Sequence, residues 1–192
     1  DKTGTLTKGK LEVVSVMGGD KESYKKEKEL EKYPRFHELV KLSMLYNNGS
    51  TFNEQRHAIG GNITDRAILE FIKSDPKMNY QIKNSLPFDS KNKYSKTTVD
   101  GPKKLTLIKG APEKILPFCT EYYRKDGTKA GLIGKREIER LIKQATMKGI
   151  RVLVLATSEY NTTYFRNLTL VGIVYIKDDV RKEAKEGVKL VE

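Results

Sequence analysis

At 192 residues, with 37% hydrophobic and 32% charged side chains, the chain is long enough for one domain, or one domain plus pieces of another, with a modest core. No run approaches the ~20 apolar residues of a bilayer-crossing helix, no signal-peptide pattern opens the chain, and a single cysteine, Cys119, excludes an intrachain disulfide and suits a reducing compartment. Two histidines, His37 and His57, without ligands clustered around them argue against structural zinc, while the net charge of +12 attracts polyanions: nucleic acid, acidic lipid headgroups or nucleotide phosphates.

The elements follow in chain order. DKTGTLTKGK is polar and turn-rich, and residues 11–17 (LEVVSVM) predict a short strand. The run 21–33 (KESYKKEKELEKY) mixes both signs and reads as a solvated helix or loop. After Pro34, apolar residues at Phe36, Leu39, Val40 and Met44 recur at helical spacing, with His37 in the same stretch as a surface or core-edge residue. Behind the Gly60-Gly61 turn, TDRAILEFIK predicts a second helix with Thr64 as N-cap and Asp65 in its positive first turn. Residues 80–86 predict a strand, and two more strands flank Asp100-Gly101 as a hairpin. KGAP is a turn, and Pro112 opens a short helix. Residues 133–149 predict a third long helix closed by Gly149. RVLVLAT and LTLVGIVYI are apolar, β-branched strands, and RKEAKEGVKLVE begins another helix. Helices interspersed with antiparallel hairpins predict an α+β fold, an antiparallel β-sheet flanked by helices. The chain opens on a chemical motif and stops inside a helix, so both ends read as cuts.

DKTGTLT places the Asp1 carboxylate beside small hydroxyl residues and a glycine. A carboxylate can attack the γ-phosphorus of ATP to give an acyl phosphate, and the glycine and threonines let backbone and hydroxyls approach phosphate oxygens. Aspartate-nucleophile phosphatases carry a second aspartate two positions on as acid and base; here that position is Thr3, which activates water poorly, so a phosphoenzyme would persist.

The heptad resembles the signature of the P-type ATPases, and further segments follow in that family's order across nearly the whole chain. GNITDRAIL is similar to the segment whose acidic residue reaches the adenine amino group; the matching residue is Asp65, where many members carry glutamate, and the plain alternative is a first-turn acid that only steadies its helix. LPFDSKNKYSKTTV resembles the Phe-Ser-x-x-x-Lys segment, which implies Phe88 as a platform for adenine and Lys93 near the nucleotide; Ser90 stands where some relatives have arginine. LIKGAPEKIL implies Lys109 deep in a nucleotide pocket, with Gly110 leaving room for the ligand and a helix N-terminus beyond it. KGIRVLVLA implies Arg151 as a phosphate fork. KDDVRKEAKEGVKL resembles the returning hinge, with Asp178 and Arg181 matching and Asp179 and Val180 in place of two prolines. The calcium-pump branches are the nearer resemblance, since the His-Pro motif of the heavy-metal branch is absent.

The resemblance implies three parts: residues 1–9 as the start and hinge of a phosphorylation domain, 10–177 as the nucleotide-binding domain, and 178–192 as the returning hinge. It implies ATP as ligand, Mg²⁺ beside Asp1 and Thr3 in the intact pump only, and Asp1 as the phosphorylated residue of a cation transporter, calcium being the expected ion. The implied partners are the actuator, phosphorylation and transmembrane domains of the same polypeptide. The chain would then be the cytoplasmic part of an integral membrane protein, monomeric, without a nucleic-acid partner, binding ATP but not turning it over. The rival readings are a free-standing aspartate phosphatase or phosphotransferase and a basic nucleic-acid-binding module.

Overall fold

The β-branched runs of the sequence form the centre of one large sheet, and the helices cover it on both faces. A computed structural model describes residues 10–161 and 163–178; Asp1, Thr3, Arg181 and the expected helix at the end of the chain lie outside the described residues. The elements run β1 (Leu11–Met17), β2 (Ser23–Tyr24), α1 (Glu27–Leu30), α2 (Pro34–Tyr46), β3 (Thr51–Phe52), β4 (Ala58–Ile59), α3 (Ile63–Phe71), β5 (Gln81–Leu86), β6 (Tyr94–Asp100) and β7 (Leu105–Gly110). They continue as α4 (Pro112–Ile115), a 3-10 turn at Leu116–Phe118, β8 (Cys119–Tyr123), β9 (Lys129–Gly131), α5 (Lys135–Met147), β10 (Arg151–Ser158) and β11 (Leu168–Asp178).

Among the described residues nine strands share the main sheet: seven stand in the order β2-β1-β11-β10-β7-β6-β5, every neighbouring pair along this path being antiparallel, and β8 and β9 join it at β11. One departure from the expected antiparallel sheet is β8, which runs parallel to the start of β11 through Leu168 opposite Cys119. The long β11 pairs with β10 on one edge and divides its other edge between β8 at its start and β1 at its end. Its residues 168–174 are buried without interruption, as an apolar run covered on both faces should be.

Two-residue alternation sorts the side chains of the central strands β7 and β10 between two cores. Leu105 and Leu107 of β7 and Leu155 of β10 meet Phe36, Leu39 and Val40 of α2 and Ile68 and Phe71 of α3. Ile108 of β7 and Val152, Val154 and Ala156 of β10 meet Ile115 of α4 and Ile138 and Ile142 of α5. Each buried Val, Leu, Ile or Phe among these contributes about 1.5–3 kcal/mol, which holds the helices against the sheet. α5 ends as expected at Gly149, whose φ of +82° suits glycine past a helix end, with the Ile150 amide returning to the Ala145 carbonyl.

Two sequence expectations change. α3 begins one residue before Thr64 and is capped by Asn62, whose Oδ1 accepts the Asp65 amide at 2.7 Å; an amide oxygen at Asn62 reaches that orphan donor, so Thr64 is left inside the helix. The mixed-charge run 21–33 is not simply solvated: Tyr24, Glu27 and Leu30 are buried. Glu27 accepts the Lys73 and Ser74 amides at 2.7 and 2.8 Å, the Ser74 hydroxyl, and a bond with His37 Nε2 at 2.8 Å.

Candidate functional site

Alternation decides where the chemistry gathers. Lys109 follows Leu105 and Leu107 on the face of β7 that meets α2 and α3, so a lysine takes a position in an otherwise apolar row. It is 3% exposed, and burial of an ammonium is tolerable only with close partners. Lys109 Nζ donates to Asp65 Oδ1 at 2.6 Å and to the Asn47 carbonyl at 2.7 Å, two of the three donors an ammonium has. Burial pulls the Lys109 ammonium below its ordinary value, and the Asp65 carboxylate offsets part of that shift.

Asp65 is brought to Lys109 by the start of α3. The preceding turn needs glycine: Gly61 has φ +59°, and a Cβ there would lie 2.6 Å from Ser50 Oγ and 2.8 Å from the Gly49 carbonyl oxygen. Asp65 Oδ2 accepts the Gly49 amide at 2.9 Å, so each carboxylate oxygen has its own donor. Arg151, at the start of β10, reaches across to α3, where its Nη1 donates to Thr64 Oγ1 at 3.1 Å.

These residues wall a cavity of about 310 Å³, lined by Asp65, Lys109, Arg151, Phe88, Val152 and Leu153 together with Asn62 and Thr64. Its volume falls in the range of small-ligand sites. Phe88 sits in the loop behind β5 and is 43% exposed, a flat apolar surface left open beside two cations and one anion. A planar ring could lie against the phenyl while an anionic group meets the guanidinium.

Of the sequence candidates, Asp65, Phe88, Lys109 and Arg151 therefore share one cavity. Lys93 does not line it. It turns the loop into β6 with φ +61°, and its Nζ lies 3.8 Å from Glu113 Oε1. The space beside Gly110 is taken by the chain itself, since a Cβ there would meet the Lys93 carbonyl oxygen and Tyr94 Cβ at 2.6 Å each. Asp178 lies apart, exposed at the end of β11 opposite Leu11. Among the described residues no group of three His, Cys, Asp or Glu side chains could hold a metal ion, and no helix is long and apolar enough to cross a membrane.

Sequence reasoning did not single out Asn47, Asn48, Gly49 or Asn62. The signals are an Asn-Asn-Gly turn directly behind α2 and an asparagine three residues before the acid it caps, both ordinary punctuation until the fold brings them to Lys109.

A family model described as P-type ATPase, cytoplasmic domain N, matches residues 35–183. Calcium-transporting ATPase 1 of Saccharomyces cerevisiae is 29% identical over 222 residues, covering 98% of this chain and 23% of that protein. Calcium-transporting ATPase 1 of Bacillus cereus is 28% identical, over 98% of this chain and 22% of its own length. Calcium-transporting ATPase type 2C member 1 of Pongo abelii is 26% identical, again over 98% and 22%. The chain spans between 18% and 25% of the length of these and similar curated relatives.

Proposed function

The chain belongs to the P-type ATPase cytoplasmic N-domain family, and from that premise we propose that its cavity captures ATP for a cation pump. The observation that carries the reading is the convergence of Phe88, Asp65, Lys109 and Arg151 on one cavity of about 310 Å³. Adenine lies on the exposed phenyl of Phe88, its amino group toward Asp65 and its ring edge toward the remaining Lys109 donor. Arg151 at the mouth turns its fork to the phosphates, and Lys93, at the far end of the loop that carries Phe88, adds charge where they leave the cavity. Gly110 serves this site by letting the start of β6 close against the end of β7.

In the whole protein, the γ-phosphoryl group passes to Asp1, and the aspartyl phosphate drives cation transport, with calcium the ion named for several relatives. Residues 10–177 form the nucleotide-binding domain, with 1–9 and 178–192 as the two crossings to a phosphorylation domain on the cytoplasmic side of a membrane. The pairing of Leu11 with Asp178 supports this division, because chain entering and leaving the sheet runs side by side. Asp178 and Arg181 belong to the returning crossing. Mg²⁺ would supply charge screening near Asp1 and Thr3, and the described residues offer no donor set for it.

An ATP titration of the 192-residue chain tests the reading. Dissociation constants of tenths to several millimolar, about −3 to −5 kcal/mol, are expected, with Phe88→Ala losing about 1–3 kcal/mol of that. Equal ATP binding by Phe88→Ala would sink the pocket assignment. DNA binding tighter than ATP binding, and steeply weakened by salt, would promote the nucleic-acid reading.

A further inference from the structure

The Lys109–Asp65 pair is not held by the sheet and α3 alone. Both partners are gripped by the turn that ends α2. Asn47, the C-cap residue, leaves the helical conformation at φ −97° and ψ 63°, and its carbonyl accepts Lys109 Nζ at 2.7 Å. The next residue, Asn48, donates through Nδ2 to the Asp65 carbonyl and the Met44 carbonyl, both at 3.0 Å. Gly49 then donates its amide to Asp65 Oδ2.

What fixes this turn is the Asn47 side chain, which is 2% exposed. Its Nδ2 donates to the Ser95 and Leu107 carbonyls at 3.2 Å each, and its Oδ1 accepts from Thr97 Oγ1 at 3.0 Å. Those groups surround Lys109 in the sheet: Ser95 is its direct partner on β6, and Leu107 precedes it by one alternation on β7. Two donors on one nitrogen and an acceptor beside them are what this socket demands. A carboxylate would face two carbonyls there, and an aliphatic side chain would satisfy nothing.

We infer that Asn47 is a positioning residue for nucleotide capture: it bolts the Asn47–Gly49 turn to β6 and β7, and so sets where Lys109 and Asp65 stand at the cavity wall. The inference rests on the nucleotide reading for its purpose, but its geometry can be tested without a ligand. Lys109 and Asn47 are both buried, so the bolt stands where the ammonium is shielded from water. Asp65 is the charged side chain that faces the Lys109 ammonium from α3, and Arg151 lines the same cavity from β10.

The experiment follows Lys109 itself by NMR of ¹³C-labelled lysine through a pH titration, alongside ATP titrations of the same samples. In Asn47→Ala, water reaches Lys109, its midpoint moves up toward that of an ordinary lysine, and ATP binding weakens about tenfold. Thr97→Val keeps the side-chain shape and removes one bond to Asn47; it moves Lys109 the same way and weakens ATP about threefold. That second variant decides the matter if Asn47→Ala does not fold. Lower stability with an unmoved Lys109 midpoint and unchanged ATP affinity in the folded variants overturns the inference and leaves Asn47 a purely structural cap. Absence of ATP binding by the unmodified chain defeats the nucleotide reading instead, and the Lys109 titration still decides whether Asn47 positions it.

Discussion

Asp65 and Glu27 are both buried carboxylates at the wall of a cavity, and the protein holds them in opposite ways. Glu27 lies beside the larger cavity, about 620 Å³, and is saturated by two amides, a hydroxyl and His37. Asp65 lies beside the smaller one, about 310 Å³, with one donor per oxygen, and one of those donors is a lysine that itself faces the cavity. The first arrangement latches α1 to the chain behind α3 and leaves nothing for a ligand to complete. The second is a charged pair with bonding capacity in reserve, next to an exposed aromatic ring. Size alone would choose the first cavity; unspent hydrogen-bonding capacity favours the second, which is the one proposed to take ATP.

The sharpest way to break the comparison is to remove one member of each network. Lys109→Met should cost about 3–5 kcal/mol in urea unfolding, because it strands the buried Asp65 charge, and it should abolish ATP binding as well. Glu27→Ala should cost about 2–3 kcal/mol, since it strands several buried donors, yet leave ATP affinity unchanged. A matching loss of ATP binding in Glu27→Ala would erase the distinction between latch and site.

Acid sharpens it further. Burial alone would raise the Glu27 carboxyl, but the Ser74 hydroxyl, His37 and the Ser74 and Lys73 amides outweigh it and bring the value from 4.5 down to about 2. A depressed carboxyl stabilises the fold fully above its unfolded value, and that contribution disappears as pH falls from about 4.5 toward 2. Stability measured across that range should fall less steeply in Glu27→Gln than in the unmodified chain. The smallest effect is expected at the mouth of the cavity. Thr64→Val frees Arg151 from an exposed hydrogen bond and should change stability by less than about 0.5 kcal/mol and ATP affinity by about twofold or less.

Much of the scaffold was legible from pattern. The run after Pro34 gave α2, residues 168–176 gave the centre of β11, and Gly149 marked the end of α5, because local periodicity and capping chemistry suffice there. Less legible were β8 and β9, which draw their order from pairing with β11 and with each other. The latch was hidden for a different reason: Glu27 sits in a run of charges that reads as solvated, and its amide donors come from residues 73 and 74.

The candidate site divides the same way. The motifs around Asp65, Phe88, Lys109 and Arg151 mark residue types suited to a nucleotide, and family resemblance supplies their expected roles. No local pattern says that Lys109 turns inward to meet Asp65, or that Gly110 yields its space to Lys93 rather than to a ligand. By itself, the sequence determined the family, most of the longer strands and helices, and the chemistry on offer, because these depend on neighbours along the chain. Only the tertiary structure decided which charges pair, which cavity keeps bonding capacity, and that the Asn47 turn stands behind Lys109. Those depend on groups 44 to 62 residues apart, brought within hydrogen-bonding distance by strand register and helix packing.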